Sequence, residues 1–143
     1  MRVDWNSREV ILKVDKAVKA ASKKGAEIVA QDAKLLCPEG KYEKSSKGGF
    51  ALDWKQRKPG TLRDSIKVQK SRFKGGGYIV KAGGYMAYYA QWVELGAPAR
   101  SAEQWRSAGH AYPVPRQPFL RPAAKQNQRK LNNIFQDELN RTL

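Results

Sequence analysis

An amphipathic repeat near the start of the chain is long enough to constrain the whole fold. Apolar or small residues recur mostly every three or four positions, at Val10, Val14, Val18, Ala21, Gly25, Ile28 and Leu35. Lysines fill much of the remainder, which is the pattern of a helix with one apolar stripe. Asn6 and Glu9 have capping-box spacing, and Pro38 disfavours helical geometry at the residue before it. The sequence therefore predicts one helix of about thirty residues, longer than is usual in globular proteins.

The middle of the chain predicts a short helical turn followed by a small antiparallel hairpin. Thr61 and Asp64 repeat the capping-box spacing before the predicted turn. Residues 66–74 and 78–82 alternate between apolar and polar side chains, as strands do, and the three glycines at 75–77 supply the connection between them.

Two further helices are predicted in the last third of the chain. Residues 85–95 predict a helix that ends at Gly96. Its aromatic face is predicted to contain Tyr85, Tyr88, Tyr89 and Trp92, together with Val93. Pro118 and Pro122 lead into the last helix. The predicted inner positions of that helix are Leu120, Ala124, Leu131, Ile134 and Phe135, with Leu139 beyond them.

This order of elements predicts an α+β fold, in which a long N-terminal helix and a C-terminal helix pack on a small antiparallel sheet. Two long loops, 39–60 and 97–117, connect the elements. The chain has 143 residues, which is the size of one domain, so we expect residues 1–143 to form a single domain.

The chain carries a large excess of positive charge. Lysine and arginine total 28 against 13 acidic residues, which gives a formal net charge of +15. Such an excess favours binding to a polyanion or to an acidic protein surface, although any one cluster is as readily a solvated surface. The candidate contacts with DNA or with another subunit lie in the two long loops. They are Lys41, Lys44, Lys47, Lys55, Arg57, Lys58, Arg100 and Arg106.

Catalytic chemistry finds little support in the sequence. His110 is the only histidine and Cys37 the only cysteine, so neither a two-histidine nor a cysteine-type metal site can form, and no intramolecular disulfide is possible. Cys37 ends an amphipathic helix and is expected to be a small buried residue. We therefore predict a protein that is not an enzyme and has no cofactor or metal. A lone cysteine, with no signal-like apolar run or membrane-length segment, predicts a soluble protein made in the cytoplasm.

Several segments, taken in order, resemble a family of siphophage head–tail joining or tail-completion proteins related to the minor tail protein Z group. They are Leu35-Leu36-Cys37-Pro38, Thr61-Leu62-Arg63-Asp64-Ser65-Ile66, Tyr89-Ala90-Gln91-Trp92-Val93-Glu94-Leu95-Gly96 and Gln117-Pro118-Phe119-Leu120-Arg121-Pro122-Ala123. The motif residues taken from the resemblance are Leu62, Arg63, Ser65, Tyr89, Trp92, Glu94, Gly96, Pro118, Phe119, Leu120, Arg121 and Pro122. Residues 39–60 depart from the family pattern, because a Lys-, Ser- and Gly-rich insertion replaces a short link.

The resemblance implies a structural virion protein that completes the tail or joins it to the head at the neck. Its implied partners are further copies of itself in a ring expected to be sixfold, other neck, tail-tube or connector proteins, and packaged DNA contacted without sequence preference. No membrane and no cofactor are implied. Assembly is expected in the bacterial host cytoplasm, with loops 39–60 and 97–117 as the subunit contacts.

The most specific structural prediction concerns Glu94. It lies among Trp92, Val93 and Leu95, and a carboxylate buried there needs a partner. Arg121 or Arg100 could supply a bidentate guanidinium, and we predict a contact between Glu94 and Arg121. Residues 85–123 as a whole are predicted to form the packing centre of the domain, with Phe119 and Leu120 anchoring the last helix on the sheet.

Two rival functions remain open on the sequence. One is a free-standing nucleic-acid-binding protein, which would bind DNA or RNA tightly as a monomer with a steep salt dependence. The other is a small ribonuclease toxin that uses Lys, Arg and Tyr groups, and its activity should depend on His110 or a nearby tyrosine.

Overall fold

The structure, a computed structural model, describes residues 7–39, 59–73, 76–85, 87–96 and 115–142. Its helices are α1 (Ser7–Leu36), α2 (Thr61–Asp64), α3 (Ala90–Leu95), α4 (Leu120–Gln126) and α5 (Gln128–Thr142). Its strands, β1 (Lys67–Lys70) and β2 (Tyr78–Lys81), form an antiparallel two-stranded sheet. The predicted α+β fold is confirmed, and it is mostly helical.

The buried face of α1 is a line of small residues. Ala17, Ala21, Gly25, Val29 and Ala33 are buried at intervals of four, and Cys37 continues the line past the end of the helix. Residues four apart lie on one face of a helix, and side chains this small let neighbouring elements approach closely. Helices α4 and α5 and both strands pack against α1.

The predicted apolar stripe of α1 is therefore only partly correct. Ala21 and Gly25 are buried as predicted, and Val14, Val18 and Ile28 are half-buried. Val10 is exposed, and Leu35 is 84% exposed. The sequence pattern favoured large apolar residues. The residues that pack closely against α4 and α5 are instead the mostly small ones of the buried line described above.

Helices α1 and α5 come into close contact at Gly25. A Cβ atom added to Gly25 would lie 2.7 Å from Cδ2 of Leu131. A side chain of α5, and not its backbone, therefore fills the space beside this glycine.

The hairpin is paired so that one face turns inward. Val68 lies opposite Val80 in the register, and both pack against the buried core, next to the fully buried Ile66. Ile66 and Val68 thus lie on the inner face. Lys67, Gln69, Ile79 and Lys81 lie on the other face, because successive side chains in a strand point in opposite directions.

Three local predictions need correction. The helical turn after residue 60 is confirmed, but its N-cap is Gly60 at φ 85°, and Thr61 is already the first helical residue. Helix α3 begins at Ala90, five residues later than predicted. In the last helix Ala123 is buried and Ala124 is exposed. The predicted cap at Asn6 lies outside the described residues.

The predicted last helix is divided at Asn127 into α4 and α5. The backbone hydrogen bonds continue through the division, since Asn127 N–H donates to Ala123 O at 3.3 Å and Leu131 N–H donates to Asn127 O at 2.8 Å. The buried Asn127 amide donates to Oδ2 of Asp32 at 2.5 Å. This bond and an ion pair between Lys24 and Glu138 fasten the C-terminal helices to α1.

Gly25→Val should destabilise the protein because the added methyl groups collide with Leu131. Overpacking of a filled core lowers the free energy of unfolding by about 1–3 kcal/mol, and urea denaturation would measure the loss. The matched control is the same change in a Leu131→Ala background, where the collision is removed. If Gly25→Val costs as much in that background as in the wild type, the contact with Leu131 does not explain the glycine.

Candidate functional site

The best-defined polar site joins α3 to the start of α4. Glu94 is only 7% exposed, and its carboxylate accepts three backbone hydrogen bonds. Its Oε2 accepts from the N–H groups of Phe119 at 2.7 Å and Leu120 at 2.9 Å. Its Oε1 accepts from the N–H of Arg121 at 3.0 Å. The first N–H groups of a helix have no partners within the helix, so Glu94 caps α4 from another element.

The electrostatics of this arrangement keep Glu94 charged. Burial on its own raises the pKa of the Glu94 carboxyl. The three N–H donors and the positive charge of Arg121 lower the pKa by more than burial raises it, so the net pKa lies below its ordinary value. The positive end of the helix dipole also favours an anion at this position. The cap is therefore a carboxylate at neutral pH.

The predicted contact between Glu94 and Arg121 exists, but not through the atoms that the sequence suggested. The main-chain N–H of Arg121 makes the contact, while the Arg121 side chain is exposed. No ion pair between the two side chains is present in the described part of the chain. Arg100, the other candidate, lies outside it. The helix start supplies three donors at fixed positions, so a guanidinium is not needed.

The cap is reinforced by neighbouring contacts. Gln117 N–H donates to Val93 O at 2.9 Å, which ties the segment before α4 to α3 a second time. Phe119 is fully buried, so the start of α4 is held by both polar and apolar contacts. Pro118, Leu120 and Pro122 are half-buried beside it. Phe119 thus holds the start of α4 in the core, whereas the predicted anchoring of this helix on the sheet stays a prediction.

The other motif residues also hold the fold together. Leu62 is buried in the core. Ser65 Oγ donates to Leu62 O at 2.6 Å and accepts from Gly83 N–H at 3.0 Å, which joins α2 to the chain after β2. Arg63 forms an ion pair with Glu39. Gly96 ends α3 at φ 75°, a conformation that favours glycine.

Aromatic side chains are exposed on α3 and on the segment just before it. Tyr85 is 79% exposed, Tyr88 51% and Trp92 41%. The rings of Tyr88 and Trp92 meet edge to face, with centroids 5.7 Å apart. Tyr88, Trp92 and the exposed Leu95 form what we call the α3 face.

The prediction that residues 85–123 form the packing centre is therefore only partly right. Ala87, Ala90 and Phe119 are in the core, and Tyr89 packs against it. Tyr85, Tyr88 and Trp92 are on the surface. Tyr85, Tyr88 and Tyr89 precede α3, and only Trp92 and Val93 of the predicted face lie on it. The periodicity also could not tell which side chains turn inward.

Catalytic groups do not assemble in the described ranges. No group of three or more His, Cys, Asp or Glu side chains that could hold a metal is found there. Cys37 is buried as predicted. Burial raises the pKa of its thiol to about 11; Arg63 opposes this increase and Glu39 adds to it. A thiol in that state is a poor nucleophile. His110 lies outside the described residues.

The loop cations predicted to contact DNA or a neighbouring subunit cannot be placed. Lys41, Lys44, Lys47, Lys55, Arg57, Lys58, Arg100 and Arg106 all lie outside the described residues. None of the described helices has the length and apolar character needed to cross a membrane.

Comparison with known proteins identifies the family. The sequence model of a family described as "Bacteriophage HK97-gp10, putative tail-component" matches residues 6–96, which is more than half of the chain. The chain belongs to this family of phage tail components. A search of curated proteins and a search of solved structures each found no match.

The matched range contains most of the segments that carried the resemblance. Leu35–Pro38, Thr61–Ile66 and Tyr89–Gly96 fall within residues 6–96. Gln117–Ala123 lies beyond them. The residue that links the two parts is Glu94, which sits in the matched range and caps a helix outside it.

Glu94→Gln should destabilise the fold and change its pH dependence. The amide keeps one oxygen but loses the charge and one acceptor, so the free energy of unfolding at neutral pH should fall by about 1–3 kcal/mol. Because the folded pKa of Glu94 is lowered, its contribution is present above the ordinary value of 4.5 and disappears as pH falls through the folded pKa. The free energy of unfolding of the variant should therefore fall less on acidification than that of the wild type. Urea denaturation across a pH series would measure the difference.

Glu27→Gln is the matched control, because Glu27 is an exposed glutamate on α1. It should leave both the stability and its acid dependence nearly unchanged. Equal effects of the two substitutions would show that Glu94 has no special role as a cap.

Proposed function

We propose that this protein is a structural component of a tailed bacteriophage that completes the tail or joins it to the head at the neck. The observation that carries the proposal is the family match over residues 6–96. The roles of the motif residues support it, since Leu62, Ser65 and Glu94 hold the fold and form no reaction centre. The proposed role is assembly without catalysis, cofactor or membrane, within the virion and after synthesis in the bacterial cytoplasm.

The proposal includes assembly into a ring of identical copies, sixfold in keeping with the resemblance. The α3 face supports a contact between protein subunits. Glu94 is the only charged residue between Ala82 and Gly96, and its carboxylate is turned inward. In a chain of net charge +15, a neutral surface is where two copies can meet with the least repulsion.

The composition of the α3 face also suits a protein contact. Tyr and Trp are enriched at the energetically dominant positions of interfaces, because a large ring buries much area while its polar atom keeps a hydrogen bond. The edge-to-face contact of Tyr88 with Trp92 restrains both rings before binding, which lowers the entropy lost on assembly. Neighbouring subunits or other neck and tail proteins are the proposed partners of this face.

Particles assembled without this protein should contain separate heads and tails. A phage carrying a stop codon early in the gene would be grown in suppressing and non-suppressing hosts, and the lysates compared by electron microscopy. Complementation with the wild-type chain should restore joined particles. Normal infectious virions in the non-suppressing host would rule out the assignment and favour a free-standing nucleic-acid-binding protein.

Replacing Tyr88 and Trp92 by serine should weaken assembly. Loss of a dominant aromatic contact commonly costs about 2 kcal/mol or more of binding free energy, so the oligomer should shift toward monomer in light scattering coupled to gel filtration. The control is Leu35→Ser, which removes an even more exposed apolar side chain from α1 and should not alter assembly. A wild-type protein that stays monomeric up to high concentration would contradict the ring, and an unchanged oligomer of the double variant would contradict the role of the α3 face.

A further inference from the structure

The hairpin is one of the segments in which positive charge has no acidic residue beside it in the sequence. Between residues 67 and 81 the chain has Lys67, Lys70, Arg72, Lys74 and Lys81, and it has no acidic residue. Helix α1 is also rich in lysine, but acidic side chains neutralise part of it. Its ion pairs are Lys13–Glu9, Lys19–Asp15 and Lys24–Glu138. No ion pair involves a described cation of the hairpin.

The pairing of the strands brings two of these lysines together. Lys67 lies directly opposite Lys81 in the register. Side chains in such a pair have Cβ atoms about 5 Å apart, and like charges there destabilise the hairpin. Both lysines are exposed and lie on the outer face, away from the packed side chains of Val68 and Val80. Local arrangements that oppose stability in this way are typical of functional sites.

The same two lysines border an open cleft. Lys67, Gln69 and Lys81 line it on the hairpin side, and the exposed Tyr85 also borders it, in a space of about 650 Å³. The only carboxylate among its lining residues is that of Asp64, which lies 3.5 Å from Nε of Arg63. Among the described residues, the cleft therefore presents two ammonium groups that form no ion pair and one side-chain amide.

We propose that the outer face of the β1–β2 hairpin binds the phosphate backbone of DNA without sequence preference. The proposal rests on the function proposed above, since packaged DNA is among the partners that the resemblance implies for such a protein. Lysines that neutralise phosphates release the counterions condensed on DNA, and this release supplies sequence-independent affinity. A two-stranded ribbon is also narrow enough to follow a groove of the duplex.

The composition of this face favours DNA over an acidic protein as the partner. Interfaces between proteins have apolar and aromatic centres and are poor in lysine. The strands present Lys67, Gln69 and Lys81 outward with Ile79 as their one exposed apolar side chain. Interfaces with DNA are more polar and much more positive, and the hairpin matches that description. The α3 face, which carries no exposed charge, matches the description of an interface between proteins.

The test compares two variants that each remove two positive charges. Lys67→Gln/Lys81→Gln changes the hairpin, and Lys16→Gln/Lys23→Gln changes two exposed lysines of α1. Binding of the full-length protein to short labelled duplexes of two unrelated sequences would be measured by fluorescence anisotropy over a series of salt concentrations. The hairpin variant should lower the slope of log K against log salt by about 2, because each phosphate contact accounts for about 0.9. The α1 variant should leave the slope close to that of the wild type.

The melting temperature of each variant would show whether a loss of DNA binding reflects loss of folding. Because the substitution removes the repulsion between Lys67 and Lys81, the melting temperature of the hairpin variant should stay the same or rise. Each single substitution, Lys67→Gln or Lys81→Gln, should lower the slope by about 1. Loss of binding together with loss of folding in all of these variants would overturn the proposal.

The remaining outcomes are equally decisive. Equal losses in the hairpin and α1 variants would show that net charge alone attracts DNA, and the hairpin would have no special role. A wild type that does not bind DNA, while virions carrying the hairpin variant fail to join heads to tails, would assign the hairpin to an acidic protein and overturn the proposal. Hairpin-dependent DNA binding in a protein dispensable for joining would keep this inference and reject the proposed function.

Discussion

The contact on which the described structure depends most is that between the Glu94 carboxylate and the start of α4. Phe119, the N-cap residue of α4, supplies no side-chain hydrogen bond, so without Glu94 the first N–H groups of the helix would be buried without an acceptor. An unpaired carboxylate and unpaired N–H groups are each costly to bury. Each group removes the penalty of the other, and α3 and α4 are fixed together although 25 residues separate Glu94 from Phe119.

The small-residue face of α1 makes this contact geometrically possible. Ala21, Gly25 and Ala33 leave room for the C-terminal helices to lie close to α1, and the hydrogen bond between Asn127 and Asp32 fixes their position along it. Phe119 then reaches the core as its largest fully buried side chain. Larger residues in the row would push α4 outward and separate its first turn from Glu94. Packing and polar capping are therefore two parts of one constraint.

Local patterns in the sequence predicted the elements but not the faces that they bury. Helix α1, the hairpin, the stop at Gly96 and the need of Glu94 for a partner followed from spacing and residue type. The sequence could not show that the partner would be backbone, because N–H donors become available only where a helix begins. It also ranked Val10 and Leu35 above the alanines, although the depth of burial depends on how closely α4 and α5 approach. The aromatic residues in and before α3 were misplaced for the same reason, since Ala87 and Ala90 are buried instead of them.

Two surfaces of the described structure would bind their partners through opposite kinds of interaction. The α3 face has exposed aromatic rings and no exposed charge, so its binding would rest on apolar burial, which salt does not screen. The outer face of the two strands has unneutralised lysines and Ile79 as its one exposed apolar side chain, so its binding would weaken steeply as salt screens its charges. Separate surfaces would permit a protein assembly to hold a polyanion loosely, as the proposed neck role and the proposed DNA contact together require. If the lysines lay on the α3 face, adjoining copies would repel one another, and DNA binding would compete with assembly.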